Sequence, residues 1–326
     1  MLDSFNRKID YLRISVTDRC NLRCIYCMPE GGVSLLDHDD ILRYEEIKTV
    51  IKVSIKLGIN KFRITGGEPL VRKGFIEFIG GLKAVEGIKD LSITTNGIRL
   101  KEYAGPLYKA GFKRINISLD TLDENKFKRI TRADGLKDVL DGIGEALRAG
   151  FSPIKINAVL IRGINDDEIL DFARLAIDNP LEVRFIELMP IGEGESLGTQ
   201  KVVPIDEIKL KCETLGRLEP AGAPLGCGPA EYYKITGWRG RIGFISAITN
   251  PFCGNCNRLR LTADGYLKPC LGYENGVDLK PALRPEFEHD KIEGIIRAVI
   301  NSKPKGHDMT QSESENHLCS MSRIGG

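Results

Sequence analysis

The sequence predicts an α/β fold arranged as an incomplete (β/α)6 TIM-type barrel, followed by a smaller C-terminal domain. Short apolar and β-branched runs alternate with segments of helical periodicity over about the first 190 residues. Such alternation implies a parallel sheet with right-handed crossovers. The pattern contains six strand–helix units, fewer than the eight of a closed barrel. We therefore expect a partial barrel, with an open doubly wound sheet as the alternative.

The six units follow one another along the chain. Strands are predicted at residues 11–16, 61–65, 91–95, 114–119, 154–160 and 182–188. Apolar residues spaced three or four apart predict helices around residues 47–55, 75–82, 103–107 and 139–147, and a further helix begins near residue 166. Gly58 and Gly150 follow two of these helices, where glycine commonly ends a helix.

The composition changes after Pro190. Residues 190–230 are rich in Gly, Pro and Glu, which predicts loops with one short helix near residues 205–209. Residues 231–236 and 241–248 carry aromatic and β-branched side chains and predict a β-hairpin. We therefore expect two domains, at residues 1–195 and 196–326.

Charge and apolar content exclude several classes of protein. Lys and Arg number 47 against 45 Asp and Glu, a net charge of only +2 among 326 residues. This balance argues against general binding of nucleic acid or of a membrane surface. No apolar run approaches the ~20 residues of a transmembrane helix, and the first residues lack the apolar core of a signal peptide. We expect a cytoplasmic protein, in which the nine cysteines are metal ligands or catalysts rather than disulfides.

Three cysteines, Cys20, Cys24 and Cys27, lie in a loop directly after the first predicted strand. Structural zinc takes four ligands, whereas three thiolates hold a four-iron cluster and leave one iron open to a ligand. A zinc site completed by a distant residue is the alternative. The second strand ends in Gly66-Gly67-Glu68-Pro69, where backbone can approach a ligand closely and Glu68 can bind an ammonium group. An ordinary strand-to-helix turn is the alternative there.

A second triad, Cys253, Cys256 and Cys270, lies in the C-terminal region. It predicts another cluster, and the alternatives are an electron-relay cluster or zinc completed by Cys227 or a histidine. Arg258 and Arg260 follow, a pair suited to phosphate or to a solvated strand face. The chain ends in Gly325-Gly326, slim enough to enter a cavity, although such ends are usually frayed.

With an aromatic Tyr26 before the third cysteine, the first loop and the GGEP turn resemble the radical S-adenosylmethionine (SAM) enzymes. Together with the second triad, the arginine pair and the terminal Gly-Gly, they resemble one family, the GTP 3′,8-cyclases of molybdenum cofactor biosynthesis. The resemblance extends from Tyr11 to Gly326 and is weakest over residues 190–230. It implies a (β/α)6 barrel whose open side is covered by the C-terminal domain.

The resemblance also implies a role for each matching residue. The first triad would hold the radical-generating [4Fe–4S] cluster, and the second a [4Fe–4S] cluster whose open iron binds guanine. SAM contacts would be Tyr26, Gly67, Ser118 and Met189. GTP contacts would be Arg13, Arg63, Thr94, Lys155, Arg258, Leu259 and Arg260. The catalytic groups would be the first triad together with Gly325 and Gly326, which would reach into the active site.

In this family a 5′-deoxyadenosyl radical takes hydrogen from C3′ of GTP, and closure onto C8 gives (8S)-3′,8-cyclo-7,8-dihydroguanosine 5′-triphosphate. The implied partners are GTP as substrate, an electron donor, a downstream cyclic pyranopterin monophosphate synthase and a second copy of the chain. Two alternatives differ from this hypothesis. One is a radical SAM enzyme that modifies peptides, which usually carries more C-terminal cysteines, and the other is an iron–sulfur or zinc-binding module without catalysis.

Overall fold

The computed structural model describes residues 1–224, 228–273, 276–307, 309 and 321–324. The chain forms two compact units. The first comprises Met1–Asn21, Gly32–Ile93 and Cys253–Gly326, and the second comprises Leu22–Gly31 and Thr94–Phe252. Both are α/β, which confirms the predicted fold class; closure into a partial barrel stays a prediction. In the described residues no helix is long and apolar enough to cross a membrane.

Strands and helices alternate along the chain as the periodicity predicts. The strands are β1 (Tyr11–Ser15), β2 (Lys61–Thr65), β3 (Asp90–Thr95), β4 (Ile115–Ser118), β5 (Ile154–Leu160), β6 (Leu181–Glu187), β7 (Glu219–Ala221), β8 (Glu231–Lys234), β9 (Arg241–Ile245), β10 (Arg258–Leu261), β11 (Tyr266–Lys268) and β12 (Val277–Asp278). The helices are α1 (Tyr44–Lys56), α2 (Phe75–Leu82), α3 (Leu100–Ala110), α4 (Glu124–Thr131), α5 (Leu136–Ala149), α6 (Ile169–Asp178), α7 (Glu193–Ser196), α8 (Ile205–Glu213), α9 (Lys280–Leu283), α10 (His289–Asn301) and α11 (Met321–Ile324). The six predicted strands agree with β1–β6 to within one residue at each end.

In the first unit the strand order is β12-β11-β10-β1-β2-β3. Strands β10, β1, β2 and β3 run parallel, and β11 and β12 add antiparallel pairs at one edge. Helix α1 packs against α10, and the buried side chains of α1 include apolar residues such as Ile47 and Val50, both fully buried. The sheet therefore has one apolar face against helices, while its other face carries the polar residues described below.

In the second unit the order is β4-β5-β6-β9-β8-β7. Strands β4, β5, β6 and β9 are parallel, and β8 and β7 follow antiparallel. The predicted hairpin is confirmed as β8 and β9. Its second strand extends the parallel sheet beside β6, a pairing that links residues distant in the sequence.

Helix α4 was not predicted, because only its Phe127, Ile130 and Thr131 are buried and its other residues are polar. Its start is fixed locally, since the Asp123 carboxylate accepts a hydrogen bond of 2.8 Å from the Lys126 amide. Short polar helices of this kind carry too few apolar positions for their period to stand out.

Candidate active site

The GGEP turn is joined to the segment that leads to Cys20 within the first unit. The Gly67 amide donates to the Thr17 carbonyl over 2.6 Å, and the Glu68 amide donates to the Arg19 carbonyl over 2.8 Å. A Cβ atom on Gly67 would lie 2.3 Å from the Arg19 carbonyl oxygen, a distance that no side chain tolerates. Glycine is thus needed because two backbone segments touch. The buried Glu68 carboxylate accepts from the Leu70 amide at 3.0 Å and caps the following turn.

Cys24 and Cys27 belong to the second unit and form a tight turn, in which the Cys27 amide donates to the Cys24 carbonyl at 2.9 Å. Tyr26 lies in this turn, and its hydroxyl donates to Asp120 at 2.6 Å. The other Asp120 oxygen accepts from the Val159 amide at 2.8 Å. Burial raises the pKa of Asp120 to about 6, although both hydrogen bonds oppose the rise. Asp120 thus fixes the ring of Tyr26 two residues beyond the end of β4.

The remaining predicted SAM contacts, Ser118 and Met189, lie at or shortly after the ends of two strands of the second unit. Ser118 is the last residue of β4 and is partly exposed. Met189 lies two residues after the fully buried Glu187, which ends β6. The Glu187 carboxylate accepts hydrogen bonds from Ile205 N (3.1 Å), Ile248 N (2.8 Å), Thr249 N (2.9 Å) and the Thr249 hydroxyl. Glu187 therefore anchors the chain segments around Met189.

The six cysteines of the two triads are of intermediate exposure. Within the described ranges, no three His, Cys, Asp or Glu side chains converge on a single metal ion; the thiolates of a four-iron cluster bind separate irons. Hydrogen bonding from His307 lowers the pKa of Cys253. Burial opposes ionisation of Cys256, but the positive Arg258 and Lys303 lower its pKa to about 7. Because thiolate is the form that binds iron, the donor set of the second triad fits a cluster.

The predicted GTP-binding arginines form a row across three parallel strands of the first unit. Arg13 on β1 is paired in register with Arg260 on β10 and with Arg63 on β2. Their exposed fractions are 8, 7 and 7%. Burial first, and then the positive charges of Arg260 and Arg63, lower the pKa of Arg13 well below its usual range. Burial and the neighbouring Arg258 lower the pKa of Arg260 to about 10. Buried like charges this close favour binding of an anion.

The same row continues into residues that sequence reasoning missed. Ser92 on β3 pairs with Arg63, and Lys268 on β11 pairs with Arg260. Both are buried, and in the described part of the chain the Ser92 hydroxyl has no hydrogen-bond partner. Leu259 alternates with the arginines and pairs with Leu12 on the opposite, apolar face, so only its backbone is available to GTP.

Lys155 belongs to a separate polar row in the second unit. It is 2% exposed on β5 and pairs in register with Asn116 on β4 and Glu182 on β6. The buried Arg184, two residues beyond Glu182, donates to the Asn116 side chain at 2.8 Å. Sequence reasoning missed Glu182 and Arg184, although two charged residues alternating within an apolar strand are a usable signal.

The remaining predicted residues are Thr94, Cys212 and four residues that lie outside the described ranges. Thr94 on β3 is 8% exposed, and its hydroxyl has no hydrogen-bond partner among the residues that the structure describes. Burial raises the pKa of Cys212 to about 12, as expected of an ordinary buried thiol. Gly325, Gly326, Cys227 and Cys319 lie outside the described residues.

Two family models match the chain, the radical SAM superfamily over residues 14–176 and Molybdenum Cofactor Synthesis C over residues 181–309. The GTP 3′,8-cyclase of Alkaliphilus oremlandii is 48% identical over 326 residues, which cover 100% of both chains. That of Thermodesulfovibrio yellowstonii is 50% identical over 328 residues and is also covered completely.

The chain belongs to the GTP 3′,8-cyclase family. The family predicted from the motifs is therefore confirmed, and the radical SAM superfamily implies one [4Fe–4S] cluster and SAM. Streptococcus suis SuiB bound to S-adenosylmethionine has a similar fold, with a TM-score of 0.58 and 14% identity over 89% of this chain and 68% of SuiB. At that identity the likeness concerns the fold alone.

Proposed function

We propose that this chain cyclises GTP to (8S)-3′,8-cyclo-7,8-dihydroguanosine 5′-triphosphate, the first step of molybdenum cofactor biosynthesis. Relatives named GTP 3′,8-cyclase match this chain over their full length. The observation that carries the proposal is the row of buried arginines on β10, β1 and β2.

The arginine row suits a triphosphate because it concentrates positive charge where water is scarce. Arg13, Arg63 and Arg260 are each more than nine-tenths buried, and charges in such surroundings act on a ligand more strongly than they do in water. A triphosphate brings about four negative charges, and planar guanidinium groups bind phosphate oxygens in pairs. The negative charge of GTP would therefore offset the mutual repulsion of these arginines, which gives GTP binding an electrostatic driving force.

Three sets of residues would act around the substrate. Cys20, Cys24 and Cys27 would hold the cluster of the radical SAM reaction. When bound, that cluster and SAM supply the radical that removes hydrogen from C3′ of GTP. Tyr26, Gly67, Ser118 and Met189 would contact SAM, with Tyr26 held by Asp120. Thr94, Lys155, Arg258 and the Leu259 backbone would complete the GTP contacts.

In the C-terminal region, Cys253, Cys256 and Cys270 would hold the second [4Fe–4S] cluster. The open iron of that cluster would bind guanine. Gly325 and Gly326 would reach the active site. We further propose the division into domains 1–195 and 196–326, an external electron donor, a cyclic pyranopterin monophosphate synthase that consumes the product, and a homodimer.

The phosphate role is tested by Arg260→Met, with Arg297→Met as the matched control. Arg297 lies on α10 with its side chain 50% exposed and paired to Glu293 at 2.8 Å. Loss of one charged hydrogen-bonding group, about 1.5–3 kcal/mol, should weaken GTP binding by roughly 10- to 100-fold. Slow, GTP-independent SAM cleavage by the reconstituted protein under dithionite should persist, and R297M should match wild type.

The reaction itself is tested with GTP deuterated at C3′. Deuterium in 5′-deoxyadenosine, formed faster when GTP is added, is the expected result. If deuterium does not transfer, or if R260M and R297M bind GTP equally, the assignment of GTP as the substrate of this site is wrong.

A further inference from the structure

Two buried cations, Arg7 and Lys303, contact the backbone of every segment that carries the second cysteine triad. Their exposed fractions are 8 and 2%, and both belong to the first unit. Sequence reasoning assigned neither of them a role. Neither lies in the row of arginines described above, so their burial needs a separate explanation.

Arg7 joins the Cys253 segment to the chain that follows α10. Its Nε donates to the Asp3 carboxylate at 2.6 Å. Its two terminal nitrogens donate to the carbonyls of Cys253 (2.9 Å), Lys305 (3.1 Å), Lys303 (3.4 Å) and Pro304 (2.7 Å). A guanidinium group has five N–H donors, so all five are used. Asp3 is itself fixed, because it accepts from the amides of Phe5 and Arg7.

Lys303 joins the other two cysteine segments. Its ammonium donates to the Arg258 carbonyl at 2.8 Å, two residues after Cys256. It also donates to the Pro269 carbonyl at 2.6 Å, directly before Cys270. These two hydrogen bonds place the charge of Lys303 beside the backbone that carries both cysteines.

Buried cations at positions 7 and 303 donate charged hydrogen bonds, which apolar side chains of the same size could not do. Three carbonyl groups beside the cysteines receive strong, charge-assisted donors, which fixes the direction of each segment. A cluster bound by three thiolates is surrounded by negative charge, and hydrogen bonds and nearby charge set its stability and potential. Lys303 supplies positive charge at the right place for this.

We propose that Arg7 and Lys303 are positioning residues that hold the segments of Cys253, Cys256 and Cys270 in the arrangement that binds the second cluster. The inference rests on the proposed second cluster. In this role both residues act through the backbone next to the ligands rather than on iron or substrate.

The test uses the full chain, reconstituted anaerobically with iron and sulfide, as wild type, Lys303→Met, Lys303→Arg and Arg7→Lys. Lys305→Met is the matched control, since it removes the same charge from an exposed side chain two residues away and leaves the carbonyl contacted by Arg7 unchanged. Readouts are iron and sulfide content, the electron paramagnetic resonance spectrum after dithionite, and SAM cleavage without GTP, which reports the first cluster.

We expect about eight irons per chain in wild type and about four in K303M, which corresponds to the loss of one [4Fe–4S] cluster. Its spectrum should lose one signal, while SAM cleavage without GTP continues. R7K, with three donors in place of five, should lose the second cluster to a chelator faster than wild type does. K303R should retain the iron that K303M loses. The control K305M should match wild type.

Other results would overturn the inference. Full iron content and unchanged chelator resistance in K303M and R7K would show that the cysteines need no such support. Loss of both clusters together would show that the two cations maintain the fold in general. If wild type itself binds only about four irons, the proposed second cluster fails, and the inference fails with it.

Discussion

Asp120 is the buried carboxyl group that links the first cysteine loop to the sheet of the second unit. One carboxylate oxygen accepts from Tyr26 and the other from the Val159 amide. The Asn165 side chain donates to the backbone carbonyl of Asp120 at 2.7 Å. Tyr26 is held in consequence, and burial together with the negative charge of Asp120 raises the pKa of its phenol well above the usual range. Tyr26 therefore stays protonated and keeps its orientation.

The raised pKa of Asp120 predicts a dependence of stability on pH. The pKa rises from 3.8 to about 6 on folding, so the folded protein keeps a proton that the unfolded chain releases. Stability from this group is present at low pH and is lost as pH rises through about 6. Relative to Asp120→Asn, wild type should lose about 2 kcal/mol of unfolding free energy between pH 4 and 7. Denaturant unfolding of both proteins across this range measures it, and parallel curves would contradict it.

At the scale of elements, the GGEP turn shows how a short motif fixes the path of another segment. Gly66 and Gly67 directly follow β2 and bring the backbone against residues 17–19, which lead to Cys20. A Cβ on Gly66 would lie 2.8 Å from the Thr17 carbonyl oxygen. The turn therefore sets where the loop after β1 begins its course towards the cysteines.

Gly67→Ala should consequently destabilise the protein and weaken SAM binding. Its Cβ would meet the Arg19 carbonyl oxygen at 2.3 Å, and overpacking of this kind costs about 1–3 kcal/mol. Gly81→Ala on α2 is the matched control, because nothing lies within 4 Å of its Cβ position and helical alanine gains about 1 kcal/mol over glycine. The temperature of thermal unfolding should fall in G67A and rise in G81A, and SAM binding measured at equilibrium should weaken only in G67A. Equal behaviour of both variants would refute the steric argument.

The alternation of strands and helices could be predicted because each element carries its own period. The triads and GGEP could be predicted because their members are close in sequence. Pairing of β10 with β1 could not, since it joins Arg260 to Arg13 across most of the chain. Ser92 and Lys268 were missed for the same reason: each is unremarkable in its own strand and gains meaning only from the neighbouring strand.

At the scale of the whole molecule, positive charge is divided between two environments. The net charge is +2, and many exposed cations are paired with nearby carboxylates, as in Lys128 with Asp134 and Arg148 with Glu145. The arginines of the row on β10, β1 and β2 are instead buried. In the proposed function a small anion binds to such a row, whereas the backbone of a long nucleic acid needs cations at the surface.

This division predicts that the chain selects mononucleotides over nucleic acid. A fluorescent single-stranded RNA of about 20 nucleotides should bind with a Kd above about 10⁻⁴ M at physiological salt, which is weaker than usual non-specific binding of nucleic acid. Arg260→Met should leave that weak signal unchanged while reducing GTP binding, because residue 260 is only 7% exposed. Fluorescence anisotropy with GTP as competitor measures both. Tight RNA binding that GTP displaces and R260M abolishes would mean that the arginine row is open to polymers, and that burial of these cations does not restrict the site to small anions.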